Sequence, residues 1–91
     1  SGLTIKELAD TLLSNRTYLS EYIKTTYGIS FCDWITRLRI DYAKNIMAQY
    51  PKLIISDIAE KSGFLSSSHF IRLFKENTGY TPAKWRKLMA K

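Results

Sequence analysis

Two stretches of the chain place short hydroxyls and charged groups at helical spacing: Arg16, Thr17, Ser20, Glu21 and Lys24 in the first, and Ser66, Ser67, Ser68, Arg72 and Lys75 in the second. These side chains donate and accept hydrogen bonds and carry charge, so they suit recognition of a polar or anionic partner. The chain has no paired carboxylates, no nucleophile with an adjacent base and no glycine-rich phosphate loop. We therefore expect binding and no enzymatic reaction.

A single histidine and a single cysteine are the other residues with potential chemistry. His69 has no second His, Cys or carboxylate at metal-ligand spacing, which favours packing or a phosphate contact over catalysis. Cys32 has no histidine partner and cannot form an internal disulfide, because the chain contains one cysteine. We expect no metal, no cofactor and a reducing, cytoplasmic compartment.

The composition indicates one compact and strongly basic domain. The chain has 91 residues, of which 45% are hydrophobic, and its formal net charge is +6. Residues 1–45 hold six basic and five acidic side chains, so the remaining eight and three make residues 46–91 the more basic half. This balance points to a polyanionic partner, nucleic acid before an acidic membrane surface, although solvated lysine-rich helices produce the same excess. No apolar run approaches the roughly 20 residues that span a bilayer, so no membrane contact is expected.

Helical periodicity accounts for nearly the whole chain. Thr4 and Glu7 form a capping box before a predicted helix over 5–13. Asn15 is the predicted N-cap of a second helix, which stops at Gly28. The inner stripe of the second helix is predicted at Tyr18, Leu19, Tyr22 and Ile23. The first polar stretch then faces outward, where a partner would meet it.

A long helix and three shorter ones follow. Ser30 begins the long helix with a second capping box, and the pattern ends at Tyr50-Pro51, about 28 Å further along at 1.5 Å per residue. Ile54 stands at the next N-cap position and has no side-chain oxygen to cap that helix. Ser66 is the predicted cap of a helix over 67–78, whose inner face repeats at Phe70, Leu73 and Phe74, and which stops at Gly79. Pro82 suits the first turn of the last helix, which runs through Trp85 and Leu88.

The chain contains an internal repeat. Residues 5–9 match residues 55–59, and further matches pair Tyr18-Leu19 with His69-Phe70, Ile23-Lys24 with Phe74-Lys75, Gly28 with Gly79, and Trp34 with Trp85. Each copy has the pattern of a helix-turn-helix unit. The long helix joins the two copies, and the paired tryptophans are predicted to be wedges in the core.

The second copy resembles the signature of the AraC/XylS transcription regulators: Ile58-Ala59, Gly63-Phe64, Phe70, Phe74-Lys75, Thr78-Gly79-Tyr80-Thr81-Pro82 and Trp85-Arg86. The first copy and the segment Arg39-Ile40-Asp41-Tyr42-Ala43 resemble the other half of that family's DNA-binding domain. The resemblance implies an all-α, homeodomain-like fold of about six helices. Its first helix-turn-helix unit would span residues 1–29, the linker helix 30–50, and the second unit with the C-terminal helix 51–91. The family domain opens with one more helix before Leu3, and the first corner here reads Leu12-Leu13-Ser14 without a glycine.

The resemblance also implies that the first polar stretch contacts bases of double-stranded DNA. Arg16 would fork onto guanine, the Thr17 methyl group would meet a thymine methyl group, and Ser20 would lie beside them. Glu21 would accept from cytosine N4, or it would pair with a neighbouring Lys or Arg. Two recognition helices could enter successive major grooves if they lay about 34 Å apart.

In the second polar stretch the resemblance implies weaker base selection. Ser66, Ser67, Ser68 and Ile71 would face the bases, or the serines would serve only as a cap and as solvent-exposed linkers. Arg72 and Lys75 would bind phosphates, so this unit would supply affinity more than specificity. Arg39 on the linker helix would reach a phosphate or form an internal ion pair.

Further partners follow from the same resemblance. It implies an activator that works with RNA polymerase in the nucleoid and is fused to a sensing or receiver domain. The alternative is a basic helical protein-interaction module that docks an acidic partner. If the chain were such a module, the salt dependence of its binding would not scale with the number of phosphate contacts.

Overall fold

The computed structural model describes residues 7, 10 and 16–90, with side chains from residue 18 onward in the second range. Within it the elements are α1 (Arg16–Tyr27), α2 (Phe31–Gln49), α3 (Ile55–Lys61), α4 (Ser67–Thr78) and α5 (Pro82–Met89). All regular structure in the described part is helical, including Glu7 and Asp10, which confirms the all-α expectation. The remainder of the predicted first helix, the Asn15 cap and the first corner lie outside the described residues.

The helix ends form where the sequence predicts them. Ser30 Oγ accepts a hydrogen bond from the Asp33 backbone N–H at 3.1 Å, which satisfies one open amide at the start of α2. Gly28 and Gly79 follow α1 and α4 with φ of 72° and 86°, a left-handed conformation that glycine adopts without a steric penalty. These caps give the second helix of each unit a defined length.

One helix start lacks a side-chain cap, and this leads to a stability prediction. Ile54 precedes α3 with no side-chain hydrogen bond, and 61% of its surface is exposed. Ile54→Ser is expected to raise the free energy of unfolding by up to about 1 kcal/mol, since the new hydroxyl can accept from an open amide. The opposite change at a working cap, Ser66→Ala, should lower it by about 1 kcal/mol. Urea unfolding followed by circular dichroism measures both, and equal stability of the three proteins would contradict the capping argument.

The apolar side chains form two clusters on the two halves of α2. The N-terminal half packs against α1 through Ile23, Phe31 and Ile35. The C-terminal half packs against α3 and α4 in a larger cluster: Ile40, Ala43, Ile46, Met47, Ile58, Ala59, Phe64, Phe70 and Phe74. One continuous helix therefore carries both halves of the molecule.

The corner between α3 and α4 is fixed by a glycine and a phenylalanine. Gly63 has φ of 87°, and its backbone N–H donates to the Glu60 carbonyl at 3.1 Å. Phe64 N–H donates to the Ala59 carbonyl at 3.0 Å, and the Phe64 ring lies 5.0 Å from that of Phe70. The turn is thus closed by backbone hydrogen bonds and anchored by a buried ring.

The two tryptophans occupy equivalent places. Trp34 packs against the smaller cluster and Trp85 against the larger one, so the prediction of core wedges is confirmed. Trp85 lies 5.7 Å from Phe74 in an edge-to-face arrangement, and the Lys44 ammonium lies 5.9 Å from the centre of the Trp85 ring, within cation–π range. These contacts fasten α5 to both α4 and α2.

The inner stripe predicted for α1 is only half correct. Leu19 and Ile23 join the smaller cluster, but Tyr18 is 80% exposed and Tyr22 is 56% exposed. The prediction was wrong for both tyrosines, since the described apolar residues that pack against α1 lie on the side of Leu19 and Ile23. The phenol hydroxyl also allows a tyrosine to remain in water at a lower cost than a purely apolar side chain.

Candidate nucleic-acid interface

The outward face of α4 is defined by what its inward face buries. Phe70 and Phe74 are fully buried, so the helical period turns the opposite face of α4 toward solvent. Ser68, Arg72 and Lys75 are all exposed. The structure thus brings these three predicted contact residues together on one face of α4.

The remaining two predicted serines differ from Ser68. Ser66 Oγ accepts a hydrogen bond from the His69 backbone N–H at 3.1 Å and so caps α4. Its O–H can still donate, because a hydroxyl carries one donor besides its lone pairs. Ser67 is half-buried in the first turn. The cap alternative therefore describes Ser66, whereas Ser68 is open to a partner.

An acidic residue that the sequence reasoning did not select lies beside Arg72. Glu76 Oε2 is 3.4 Å from Arg72 Nη1, and both side chains are mostly exposed. A surface ion pair of this kind contributes only about 0–1 kcal/mol, so Arg72 can exchange it for a phosphate. The spacing of four residues is a known signal for such a pair and could have identified Glu76 from the sequence.

On α1 the described part of the predicted face is mixed. Glu21 and Lys24 are exposed, and Ser20 is half-buried. Arg16 and Thr17 lie in the first turn of α1, but their side chains fall outside the described residues. Tyr18 and Tyr22, which the sequence assigned to the core, are exposed on this helix instead.

His69 and Arg39, for which the sequence left a phosphate contact open, have mainly internal surroundings. The His69 ring packs edge-on against Phe64, with 6.0 Å between ring centres, which fits the packing alternative. Arg39 on α2 is partly buried, and this burial lowers the pKa of its guanidinium, while the charges of Asp10 and Cys32 oppose that change. The proximity of the Asp10 carboxylate favours an internal role for Arg39 over a phosphate contact.

In the range 16–90, together with Glu7 and Asp10, no group of three or more His, Cys, Asp or Glu side chains could hold a metal ion. No helix in the described part of the chain is long and apolar enough to cross a membrane. The exposed polar face of α4 is the arrangement with the clearest chemistry, and α1 presents a mixed face on the other half of α2.

Comparison with known proteins gives an independent result. Residues 8–88 match the family described as a helix-turn-helix domain. The chain is 40% identical over 86 residues to the HTH-type transcriptional regulator YtdP of Bacillus subtilis, covering 94% of this chain and 11% of that protein. It is 35% identical over 86 residues to the bifunctional transcriptional activator/DNA repair enzyme AdaA of the same species, covering 94% of this chain and 40% of that protein. The chain thus spans less than half of each relative.

A solved structure resembles the fold over its whole length. The C-terminal domain of AraT, a response regulator from Geobacillus stearothermophilus, superposes with a TM-score of 0.76 at 31% sequence identity. The match covers 99% of this chain and 74% of that domain. The similarity therefore extends through both helix-turn-helix units and the helix that joins them.

Proposed function

Because the chain belongs to the AraC/XylS family of DNA-binding helix-turn-helix transcription regulators, we propose that it reads one bipartite DNA site with α1 and α4 in successive major grooves. The observation that carries this proposal is the packing of the two recognition helices on the two halves of α2. A single helix that holds both units fixes their spacing and orientation before DNA is bound. Such preorganisation reduces the entropy lost on association.

The dimensions of the molecule are compatible with two grooves. The Cα trace extends 41 Å along its longest axis, whereas successive major grooves on one face of B-DNA are about 34 Å apart. The long axis of the molecule therefore exceeds the groove spacing, as binding in two successive grooves requires. We propose residues 1–29 as the first reading unit, 30–50 as the spacer and 51–91 as the second unit.

The proposed contacts divide into base readers and phosphate binders. On α1, Arg16, Thr17 and Ser20 would read base edges, with Glu21 accepting from cytosine and Lys24 lying one turn further along. On the second unit, Ser66, Ser67 and Ser68 would approach the groove. The exposure of Arg72 and Lys75 on α4 supports their role as phosphate contacts.

The comparisons do not favour the alternative of a basic module that docks an acidic protein, since the relatives are named as transcription regulators. AdaA is also named a DNA repair enzyme, but the chain spans only 40% of it. We assign DNA binding and no catalysis to this domain. Duplex DNA as the ligand places its action in the cytoplasm, at the nucleoid.

The partners beyond DNA are proposed from the relatives. AraT is named a response regulator, and the similarity is to its C-terminal domain, which supports a receiver or sensing domain fused to this chain. AdaA is named an activator, which supports RNA polymerase as a further partner. An activator domain held on DNA by a rigid two-unit clamp would present its remaining surface to the polymerase in a fixed orientation.

Selection of DNA ligands from random duplexes tests the proposed function. We expect enrichment of one asymmetric motif with two conserved blocks about 10 base pairs apart, one helical turn. The triple variant Arg16→Ala, Ser20→Ala, Arg72→Ala should bind the selected duplex at least about tenfold more weakly, since it removes contacts from both units. Lys52→Ala, which removes a cation from the loop after α2, is the matched control. The proposal is wrong if no motif is enriched, or if the triple variant binds as the wild type does.

A further inference from the structure

A leucine at the start of α4 is exposed without a structural reason. Leu65 has 95% of its surface in solvent, the largest exposure among the large hydrophobic residues that the structure describes as exposed. Its two neighbours are both anchored: Phe64 is buried against Phe70, and Ser66 caps the helix. The backbone of Leu65 is therefore held in place while its side chain contacts nothing that stabilises it.

A second apolar side chain lies on the outward face of the same helix. Ile71 is 38% exposed, and it follows Ser68 by three residues and precedes Lys75 by four, so it lies among the proposed DNA contacts. Single exposed apolar residues are common on protein surfaces and need no explanation by themselves. Leu65 lies directly before the N-cap of α4, and Ile71 lies on the exposed face of that helix. Both residues are therefore placed where a recognition helix would meet DNA.

The other groups on this face discriminate poorly between bases. Serine hydroxyls donate to and accept from several base edges, and phosphate contacts carry no sequence information. In the major groove only thymine presents a methyl group, and apolar side chains recognise it by contact. An apolar side chain therefore adds a discrimination of T·A from C·G pairs that serine hydroxyls and phosphate-bound cations do not supply.

We infer that Leu65 and Ile71 contact thymine methyl groups in the DNA block bound by the second unit. The unit would then select T·A pairs and would not act only as a phosphate clamp. Duplex DNA is the favoured occupant because Ser68, Arg72 and Lys75 are exposed on the same helix as Ile71 and supply donors and positive charge. An apolar protein surface would leave those charges without partners. The inference rests on the proposed function.

Replacing thymine by uracil in the second block of the selected duplex tests this inference, since it removes only the methyl groups. Fluorescence anisotropy titrations would compare the two duplexes. We expect the wild type to bind the uracil duplex about three- to fivefold more weakly for each methyl group lost from contact. Leu65→Ala and Ile71→Ala should weaken binding to the thymine duplex to a similar extent and reduce the difference between the duplexes. Leu88→Ala, which alters an exposed residue of α5, should retain the full difference.

The outcomes separate this inference from the proposed function. Equal binding of the wild type to thymine and uracil duplexes overturns the inference and leaves the selected site intact. Retention of the full difference by both Leu65→Ala and Ile71→Ala also overturns it. Failure to select any duplex overturns the proposed function, and the inference with it. Both substitutions affect exposed side chains, so circular dichroism spectra of the variants should match that of the wild type.

Discussion

Phe74→Ala is expected to lower the free energy of unfolding by about 3–5 kcal/mol. Phe74 is fully buried in the larger cluster. Its ring lies 5.6 Å from Phe70 and 5.7 Å from Trp85, both edge-to-face. Removing the ring leaves a cavity where α4 meets α5, and it deletes the contact that fastens the last helix. Small domains are stable by only about 5–15 kcal/mol, so the loss could approach the whole stability of the second unit.

Urea unfolding measures this effect, with circular dichroism for the helices and tryptophan fluorescence for Trp85. Leu88→Ala is the matched control on α5, because Leu88 is exposed and its truncation should change the stability by no more than about 0.5 kcal/mol. Equal midpoints for Phe74→Ala and Leu88→Ala would show that the ring stack does not hold the second unit together.

Removal of two cations from α4 should have the largest effect on DNA binding. Arg72→Ala with Lys75→Ala is expected to weaken binding to the selected duplex at least about 10²-fold at low salt, since each of the two charge-assisted hydrogen bonds contributes about 1.5–3 kcal/mol. A plot of the logarithm of the association constant against the logarithm of the salt concentration should have a slope shallower by about 2. The variant makes two fewer phosphate contacts, so fewer counterions are released when it binds. Removal of Arg72 also leaves Glu76 on this face without its cation, which adds repulsion toward phosphate.

Anisotropy titrations between about 50 and 200 mM salt give both quantities. Arg72→Lys is the control, since it keeps the charge and loses only the forked geometry of the guanidinium. Its salt slope should equal that of the wild type. If the double alanine variant has the same slope as the wild type, Arg72 and Lys75 do not contact phosphates.

Much of the fold was predictable because its signals are local. Ser30 and Ser66 have an oxygen at the N-cap position, and Gly28 and Gly79 tolerate the left-handed conformation, so a few neighbouring residues are enough to define each helix end. The spacing of Phe70 and Phe74 similarly defines the buried face of α4. For this reason the outward position of Arg72 and Lys75 could be predicted without tertiary contacts.

The buried face of α1 was less predictable, because apolar periodicity does not indicate how wide a strip of the helix its neighbours cover. Tyr18 and Tyr22 continue the helical stripe of Leu19 and Ile23, yet they remain in solvent. Their counterparts in the second unit, His69 and Leu73, are half-buried. Among the described residues, the repeat in sequence is therefore not a repeat in burial.

By itself the sequence determined the class of this protein: an all-α chain, two helix-turn-helix units, a joining helix and a basic second half. Those properties follow from composition and from interactions over three or four residues. Only the tertiary structure decided which side chains remain available to a partner. The exposure of Leu65 and Tyr18 and the internal environment of Arg39 depend on elements distant in sequence or on how far a neighbouring helix extends. Burial is a property of packed surfaces, and no local pattern encodes it fully.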